Sequence, residues 1–228
     1  MSVAAKICGI TDREALHAAI ESGASLIGFG FVPASKRFIE PAQAKALLMR
    51  LPHPALCRFV KAPPTAGTNE IVLTALFVDP KDTEIDAVVE ALSPFLGLIQ
   101  LHGAETPERV ATIRERTGLP VMKAIAVADE KDLQKVPAYE DVADLLLFDA
   151  KLPDGSSGGA GVSFDWTLLT GRKWKRPWLL AGGLCLKNVV QAVQKSGADF
   201  VDVSTGVETD GKKDPLKISA FIQVCHEL

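Results

Sequence analysis

Eight short apolar runs recur along the chain, and residues able to do chemistry stand just past the end of most of them. The opening run stops at Lys6-Ile7-Cys8-Gly9, Gly97–Leu101 at His102-Gly103, and Leu145–Phe148 at Asp149. Trp178–Ala181 stops at Gly182-Gly183, and Phe200–Val203 at Ser204-Thr205-Gly206. Runs this short and continuous read as strands buried on both faces, the pattern of a parallel sheet covered by helices. Closing such a sheet into a barrel gathers the carboxyl ends of its strands into one mouth, where parallel barrels keep their active sites.

The other runs expected as strands are Leu26–Phe31, Leu73–Val78 and Val121–Ala126. Eight strand–helix units in 228 residues leave about 28 residues each, close to a βα repeat. The expected fold is therefore α/β: a (β/α)8 TIM barrel forming a single domain over residues 1–228. An open doubly wound sheet is the rival, but no G-x-G-x-x-G follows the first strand. Helix starts are expected at a Thr11-x-x-Glu14 capping box, Pro41, Asp79-Pro80, Thr106-Pro107 and Asp214-Pro215. The last helix should carry Leu216, Ile218, Phe221, Ile222 and Val224 on one apolar stripe. The glycine- and serine-rich stretch Asp154–Gly161 reads as a mobile loop. Pro52–Ile71 is an extended αβ connection, long for its place, on the face opposite the expected pocket. It reads as a solvent-exposed excursion, with a subunit contact as the alternative.

A formal charge of -3 and no long basic run speak against nucleic acid or an anionic membrane as partner. The four cysteines, Cys8, Cys57, Cys185 and Cys225, are scattered singly. That spacing suits neither a zinc site nor a disulfide scaffold, and no metal is expected. Cys57, Cys185 and Cys225 read as small core or near-surface residues. No apolar stretch approaches a membrane span, and Lys6 and Asp12 interrupt any signal core. A cytoplasmic protein is the expectation.

Glycines after the seventh strand and Ser204-Thr205-Gly206 after the eighth stand where barrels often build a phosphate cup from backbone N–H groups. A glycine pair alone is commonly just a turn; both loops in these places point to phosphate. Gly158-Gly159-Ala160-Gly161 could close over the same end. Cys8 and Asp149 end the first and sixth strands. Alone, the cysteine reads as packing and the aspartate as a cap or ion-pair partner. At one mouth, a thiolate could remove a carbon-bound proton while a carboxylic acid protonates a leaving oxygen. Such a thiolate needs a depressed pKa, with Lys6, Arg37, Lys123 and His102 as candidate cations. Arg37, in the loop after the second strand, is either a solvated charge or a bidentate partner for a substrate carboxylate.

With these residues in hand, the chain resembles the phosphoribosylanthranilate isomerase family of tryptophan biosynthesis over nearly its whole length. The resemblance rests on Lys6-Ile-Cys-Gly-Ile-Thr11, Gly28-Phe-Gly-Phe31 with Ser35-Lys-Arg37, and Gln100-Leu-His-Gly103. It continues through Asp149-Ala-Lys151, Gly158–Gly161 with Phe164-Asp-Trp166, Ala181-Gly-Gly-Leu184 and Asp202-Val-Ser-Thr-Gly-Val-Glu208. It implies an Amadori rearrangement, a sugar-phosphate aldose–ketose isomerisation, on a small-molecule substrate without cofactor. It also implies Asp149 as acid, Cys8 as base, Arg37 on the anthranilate carboxylate, and Gly182, Gly183, Ser204, Thr205 and Gly206 around the phosphate. Lys6, His102 and Asp202 would face the pocket, in a monomer or homodimer. Pro52–Ile71 is longer than the family's usual connection. Gly30 replaces a bulkier apolar residue, which would loosen the inner barrel.

Two competing functions remain. A bifunctional isomerase that also takes the histidine-pathway sugar phosphate resembles this mechanism but uses an aspartate base on the first strand, where this chain has Cys8. A catalytically silent barrel that binds a sugar phosphate would have no physical reason to keep both Cys8 and Asp149.

Overall fold

Eight parallel strands lie side by side and close on themselves: β1 (Ala4–Cys8), β2 (Leu26–Gly30), β3 (Glu70–Phe77), β4 (Leu96–Leu101), β5 (Val121–Val127), β6 (Leu145–Ala150), β7 (Trp178–Leu180) and β8 (Phe200–Val203). Each pairs with its successor, and β1 pairs with β8, so no edge of the barrel is left open. The computed structural model describes residues 2–50, 55–56, 59, 70–152 and 161–228. Around the strands run α1 (Arg13–Glu21), α2 (Pro41–Leu48), α3 (Asp82–Leu92), α4 (Pro107–Thr117), α5 (Glu130–Leu133), α6 (Val136–Glu140), α7 (Val189–Ser196) and α8 (Pro215–His226). No helix among the described residues is long and apolar enough to cross a membrane.

Alternation along the strands sorts side chains into two cores. Ile7, Ile27, Leu73, Ile99, Ile125, Leu146, Leu180 and Val201 face outward into the layer packed by the helices. Ala4, Leu26, Val72, Leu98, Met122, Leu145, Leu179 and Phe200 belong to a second cluster, inside the barrel. Two residues further along a strand the same face recurs, roughly 6.6 Å higher. There the interior turns polar: Lys6, Thr74, Gln100 and Asp202 are all buried. One step higher again stand Cys8, His102, Asp149 and Ser204, at the carboxyl-end mouth. An apolar floor beneath a polar upper layer is what aims the chemistry at one end.

The seam between β1 and β8 carries a buried ion pair. Lys6 lies in register with Asp202, and Nζ meets Oδ1 at 2.8 Å with the lysine side chain 0% exposed. Burial opposes the Lys6 charge, but Asp202, with Cys8 adding to it, wins and holds the ammonium pKa above its ordinary value.

Several local expectations shift. The first helix is capped by Asp12, whose carboxylate accepts from the Ala15 N–H, and not by a Thr11–Glu14 box. Aspartate reaches an N-terminal amide as well as threonine does, and it stands one residue nearer the helix. Asp79 does not cap α3, which begins after Lys81; with φ at 46° its carboxylate turns to accept from the Ala104 N–H. Thr106 and Asp214 cap α4 and α8 as expected. Leu216 is 81% exposed and lies off the α8 stripe, where Cys225 takes the buried place. Most of 52–71 and of 154–161 lies outside the described residues, as does Cys57. What is described of the first stretch is anchored: Ala55–Leu56 pairs with the start of β3, and Phe59 is buried within the inner cluster. The residue at 59 therefore plugs the amino-terminal end of the barrel, unlike a purely solvent-exposed excursion.

Lys6→Met should destabilise the fold by about 3–5 kcal/mol, because it strands the Asp202 carboxylate in the barrel wall. Urea unfolding checks this, and Lys6→Met with Asp202→Leu should recover a large part of the loss. Equal stability of the single variant and wild type would show that the pair does not hold the seam.

Candidate active site

The mouth opens into a cavity of about 240 Å³ whose walls include Cys8, Arg37, His102, Asp149, Asp202, Gly182, Gly183, Ser204 and Thr205. Residues from β1, β4, β6, β7 and β8 thus meet in one place, as their positions at strand ends predict. Two of the expected residues are not in the wall. Lys6 is fully buried one layer below, under the pocket floor. Gly206 forms a bridge to Cys185, and a Cβ on it would fall 1.9 Å from the Leu184 carbonyl oxygen. It joins the two loops and leaves the lining to its neighbours. Gly30 does line the pocket, and a Cβ there would come 3.3 Å from the Arg37 carbonyl oxygen. The missing side chain therefore makes room at the mouth instead of loosening the inner barrel.

Cys8 is buried, and burial pushes its thiol pKa up, against the pull of the Lys6 cation below it and with Asp202 reinforcing the rise. At rest it is a thiol; the depressed value expected of a standing thiolate is overturned, because desolvation outweighs the nearby cations. Lys123 offers no help. Met122 and Ala124 face the barrel interior, so Lys123 points the other way. There it bonds Glu105 at 2.9 Å and the Gly103 carbonyl at 2.7 Å. The cation that does join Lys6 near the thiol is Lys213, from the turn after β8.

Asp149 Oδ2 lies 3.0 Å from His102 Nε2, and Oδ1 accepts from the Ala150 N–H at 2.8 Å. On its far side, His102 Nδ1 lies 2.9 Å from Gln100 Nε2. Because an amide NH2 can only donate, Nδ1 accepts, and the imidazole proton sits on Nε2, directed at Asp149. Glu105 steadies this quarter of the mouth: its buried carboxylate accepts from Lys123 and from the N–H groups of Asp79 and Gly103. One side chain thereby ties the tops of β3, β4 and β5.

Arg37 forms a two-point bond to Glu208, Nε to Oε1 at 2.7 Å and Nη2 to Oε2 at 3.1 Å. Lys213 Nζ holds the same carboxylate at 2.7 Å, and also Ser204 Oγ at 3.1 Å. Ser204 Oγ in turn donates to the Cys8 carbonyl at 3.1 Å. Burial opposes the Glu208 charge, but Arg37 and Lys213 outweigh it and keep the carboxyl pKa below its ordinary value. Among the described residues the N–H groups of Gly182, Gly183 and Thr205 find no protein acceptor. Gly182, with φ at 87°, brings the β7 loop so close that a Cβ would lie 3.0 Å from Asp149 Oδ1. Val78 and Val162, 44% and 46% exposed, are apolar lips on the same opening.

Gln100, Glu105, Glu208 and Lys213 were given no role from the sequence. Gln100 and Glu208 lie inside the motifs quoted for the resemblance, and for Gln100 its spacing along β4 could have singled it out. Glu105 and Lys213 carry no such signal, since only the turns of the chain bring them to their partners.

Together these observations define a (β/α)8-barrel enzyme with a carboxyl group, a thiol and a rim of N–H groups lacking acceptors among the described residues at one mouth. A family model described as N-(5'phosphoribosyl)anthranilate (PRA) isomerase matches residues 5–224. The isomerase of that name from Cereibacter sphaeroides (strain ATCC 17023) is 48% identical over 97% of both chains. Among solved structures, phosphoribosyl anthranilate isomerase from Thermotoga maritima matches with a TM-score of 0.80 at 35% identity, covering 99% of this chain and 100% of that one. A second isomerase structure, in complex with reduced 1-(o-carboxyphenylamino)-1-deoxyribulose 5-phosphate, matches at 0.78 and 33% identity, covering 99% of this chain and 100% of that chain. The chain belongs to the phosphoribosylanthranilate isomerase family of tryptophan biosynthesis.

The raised thiol pKa has a direct consequence. Cys8 should react slowly with iodoacetamide near neutral pH and accelerate about tenfold per pH unit to beyond pH 9. Cys225, pushed up to about 12 by burial, should stay unlabelled in the folded protein, while partly exposed Cys185 serves as the reactive control. Site-resolved mass spectrometry reads all three; fast, pH-independent labelling of Cys8 would mean that Lys6 holds a thiolate after all.

Proposed function

We propose that this chain isomerises N-(5'-phosphoribosyl)anthranilate to 1-(2-carboxyphenylamino)-1-deoxyribulose 5-phosphate in the cytoplasm, as one barrel domain. Asp149 is the general acid and Cys8 the general base. The observation that carries this reading is the meeting of a carboxyl and a thiol from β6 and β1 in one cavity with an arginine and two glycine-bearing loops. Asp149 gives its proton to the furanose ring oxygen as the C1–O bond breaks, and the anthranilate nitrogen lone pair forms C=N. Cys8, as thiolate, then takes the proton from C2. The electron pair of that C–H bond becomes C1=C2, and the nitrogen recovers its lone pair. The enolamine loses its enol proton and gains one at C1 to give the ketone. Asp149 regains a proton from solvent and Cys8 returns one, so atoms and charge balance without an added group.

Arg37 binds the anthranilate carboxylate, which must share or displace Glu208. The valine lips at 78 and 162 suit the aromatic ring, and the free N–H groups at Gly182, Gly183 and Thr205 suit the phosphate. A silent sugar-phosphate binder is disfavoured by the buried acid and base, neither of which a binding site needs.

Purified protein given freshly made substrate should quench anthranilate fluorescence within minutes. Asp149→Asn and Cys8→Ser should each lower kcat by at least ~10²-fold with folding intact. Arg37→Ala should chiefly raise KM; a fall in kcat at unchanged KM would move its action to the transition state. A folded wild type without turnover would leave the binder as the reading, and comparable turnover of the histidine-pathway aminoaldose would make the enzyme bifunctional.

A further inference from the structure

Gln100 is fully buried in the polar layer beneath the mouth, with its amide nitrogen on His102 Nδ1 and its amide oxygen without a partner among the described residues. A buried carbonyl oxygen without a partner is costly, which asks for a reason. The pair His102–Asp149 can hold one proton or two. With one, it sits on Nε2, Asp149 is a carboxylate, and Nδ1 needs a donor, which the amide NH2 supplies. With two, Nδ1 carries a hydrogen in either arrangement: imidazolium beside carboxylate, or neutral imidazole accepting from an Asp149 carboxylic acid. Nδ1 then needs an acceptor. The amide supplies that too, by turning end for end, and because its other end is free the turn gives up no second bond.

We infer that Gln100 is a positioning residue for the acid, its amide turning to follow the proton count of the His102–Asp149 pair. The inference rests on the reading of Asp149 as general acid. In the loaded state the pair holds two protons and Gln100 Oε1 accepts from Nδ1–H. Delivery of the Asp149 proton to the ring oxygen leaves one proton on Nδ1; exchange with solvent then places a proton on Nε2 at the mouth as Nδ1 releases its own, the amide turns back, and Nε2–H donates to the new carboxylate. Reloading from solvent reverses the sequence. The other titratable groups facing this imidazole across the two cavities it borders are Cys8, Arg37 and Asp202 on one side and Asp79, Lys123, Lys135 and Tyr139 on the other. Lys123 is held by Glu105, Arg37 by Glu208 and Asp202 by Lys6. None of these bonds His102, so among the described residues Asp149 and Gln100 are the hydrogen-bond partners of its ring.

The test is imidazole ¹⁵N NMR of the intact enzyme over pH, alongside kcat and KM profiles. Wild type should show His102 as the Nε2–H tautomer above its titration, with both nitrogens protonated below it. Gln100→Leu should mix the tautomers and lower kcat at least about tenfold with KM changed less than about twofold. Gln100→Glu can only accept from Nδ1, so it should favour Nδ1–H and move the acid limb of the kcat profile up by about one pH unit or more. A wild-type Nδ1–H tautomer at high pH overturns the inference without any variant. So does a Gln100→Leu enzyme with unchanged tautomer and profile shape, even if its kcat is lower. Asp149→Asn, run in parallel, separates the two readings: survival of activity there defeats the acid assignment, whereas the tautomer reports on Gln100 directly.

Discussion

The ion pair between Lys6 and Asp202 joins the first strand to the last, across 196 residues of chain, and the working end of the barrel is organised around it. A lysine and an aspartate inside a barrel wall are each costly to bury; together, at 2.8 Å, they offset that cost and admit only one register of β1 against β8. A slip of one strand by one residue would send its member of the pair to the opposite face and part the two. With the register set, Cys8 and Ser204, two residues beyond each partner, necessarily emerge at the same rim. The same ammonium lies under the thiol, so the seam that closes the barrel also sets part of the electrostatics of the base.

Above that layer the site is a set of charges already paired with one another. Arg37 rests on Glu208, Lys213 bridges Glu208 to Ser204, and Asp149 is hydrogen-bonded to His102 Nε2. An incoming carboxylate therefore meets a guanidinium whose orientation is already fixed, which lowers the ordering cost of binding. The Glu208 charge must be accommodated in exchange. The thiol is the exception among these groups. Burial keeps it neutral, so its proton has to leave before it can act, and the neighbouring cations only partly offset that demand.

Much of this was legible in the sequence, and the reason is geometric. In a parallel barrel the end of a buried apolar run is also the mouth of the molecule, so Cys8, His102, Asp149, Gly182 and Ser204 could be placed together by counting runs. Helix starts were legible at Thr106-Pro107 and Asp214-Pro215, but not at Asp79-Pro80, whose carboxylate turns to the Ala104 N–H. They failed where two capping residues competed, as Thr11 and Asp12 do. Lys123 was misplaced because its strand reads as a continuous apolar run, and such a run does not say which residue faces in. Only the neighbours Met122 and Ala124, packed into the inner cluster, decide that its ammonium lies outside.

By itself the sequence determined the fold class, the order of strands and helices, the family, and which residues stand at strand ends, since these follow from local periodicity and short motifs. Tertiary structure alone decided which polar groups face one another. The pairing of Glu208 with Arg37, the reach of Lys213 to Ser204, and the single donor that Gln100 offers His102 depend on the closure of a ring of strands. The neutral state of Cys8 likewise follows from burial, a property of packing. Contacts between residues far apart in the chain arise from strand register and barrel curvature, and no local pattern of amino acids encodes the distance between two side chains that only closure brings together.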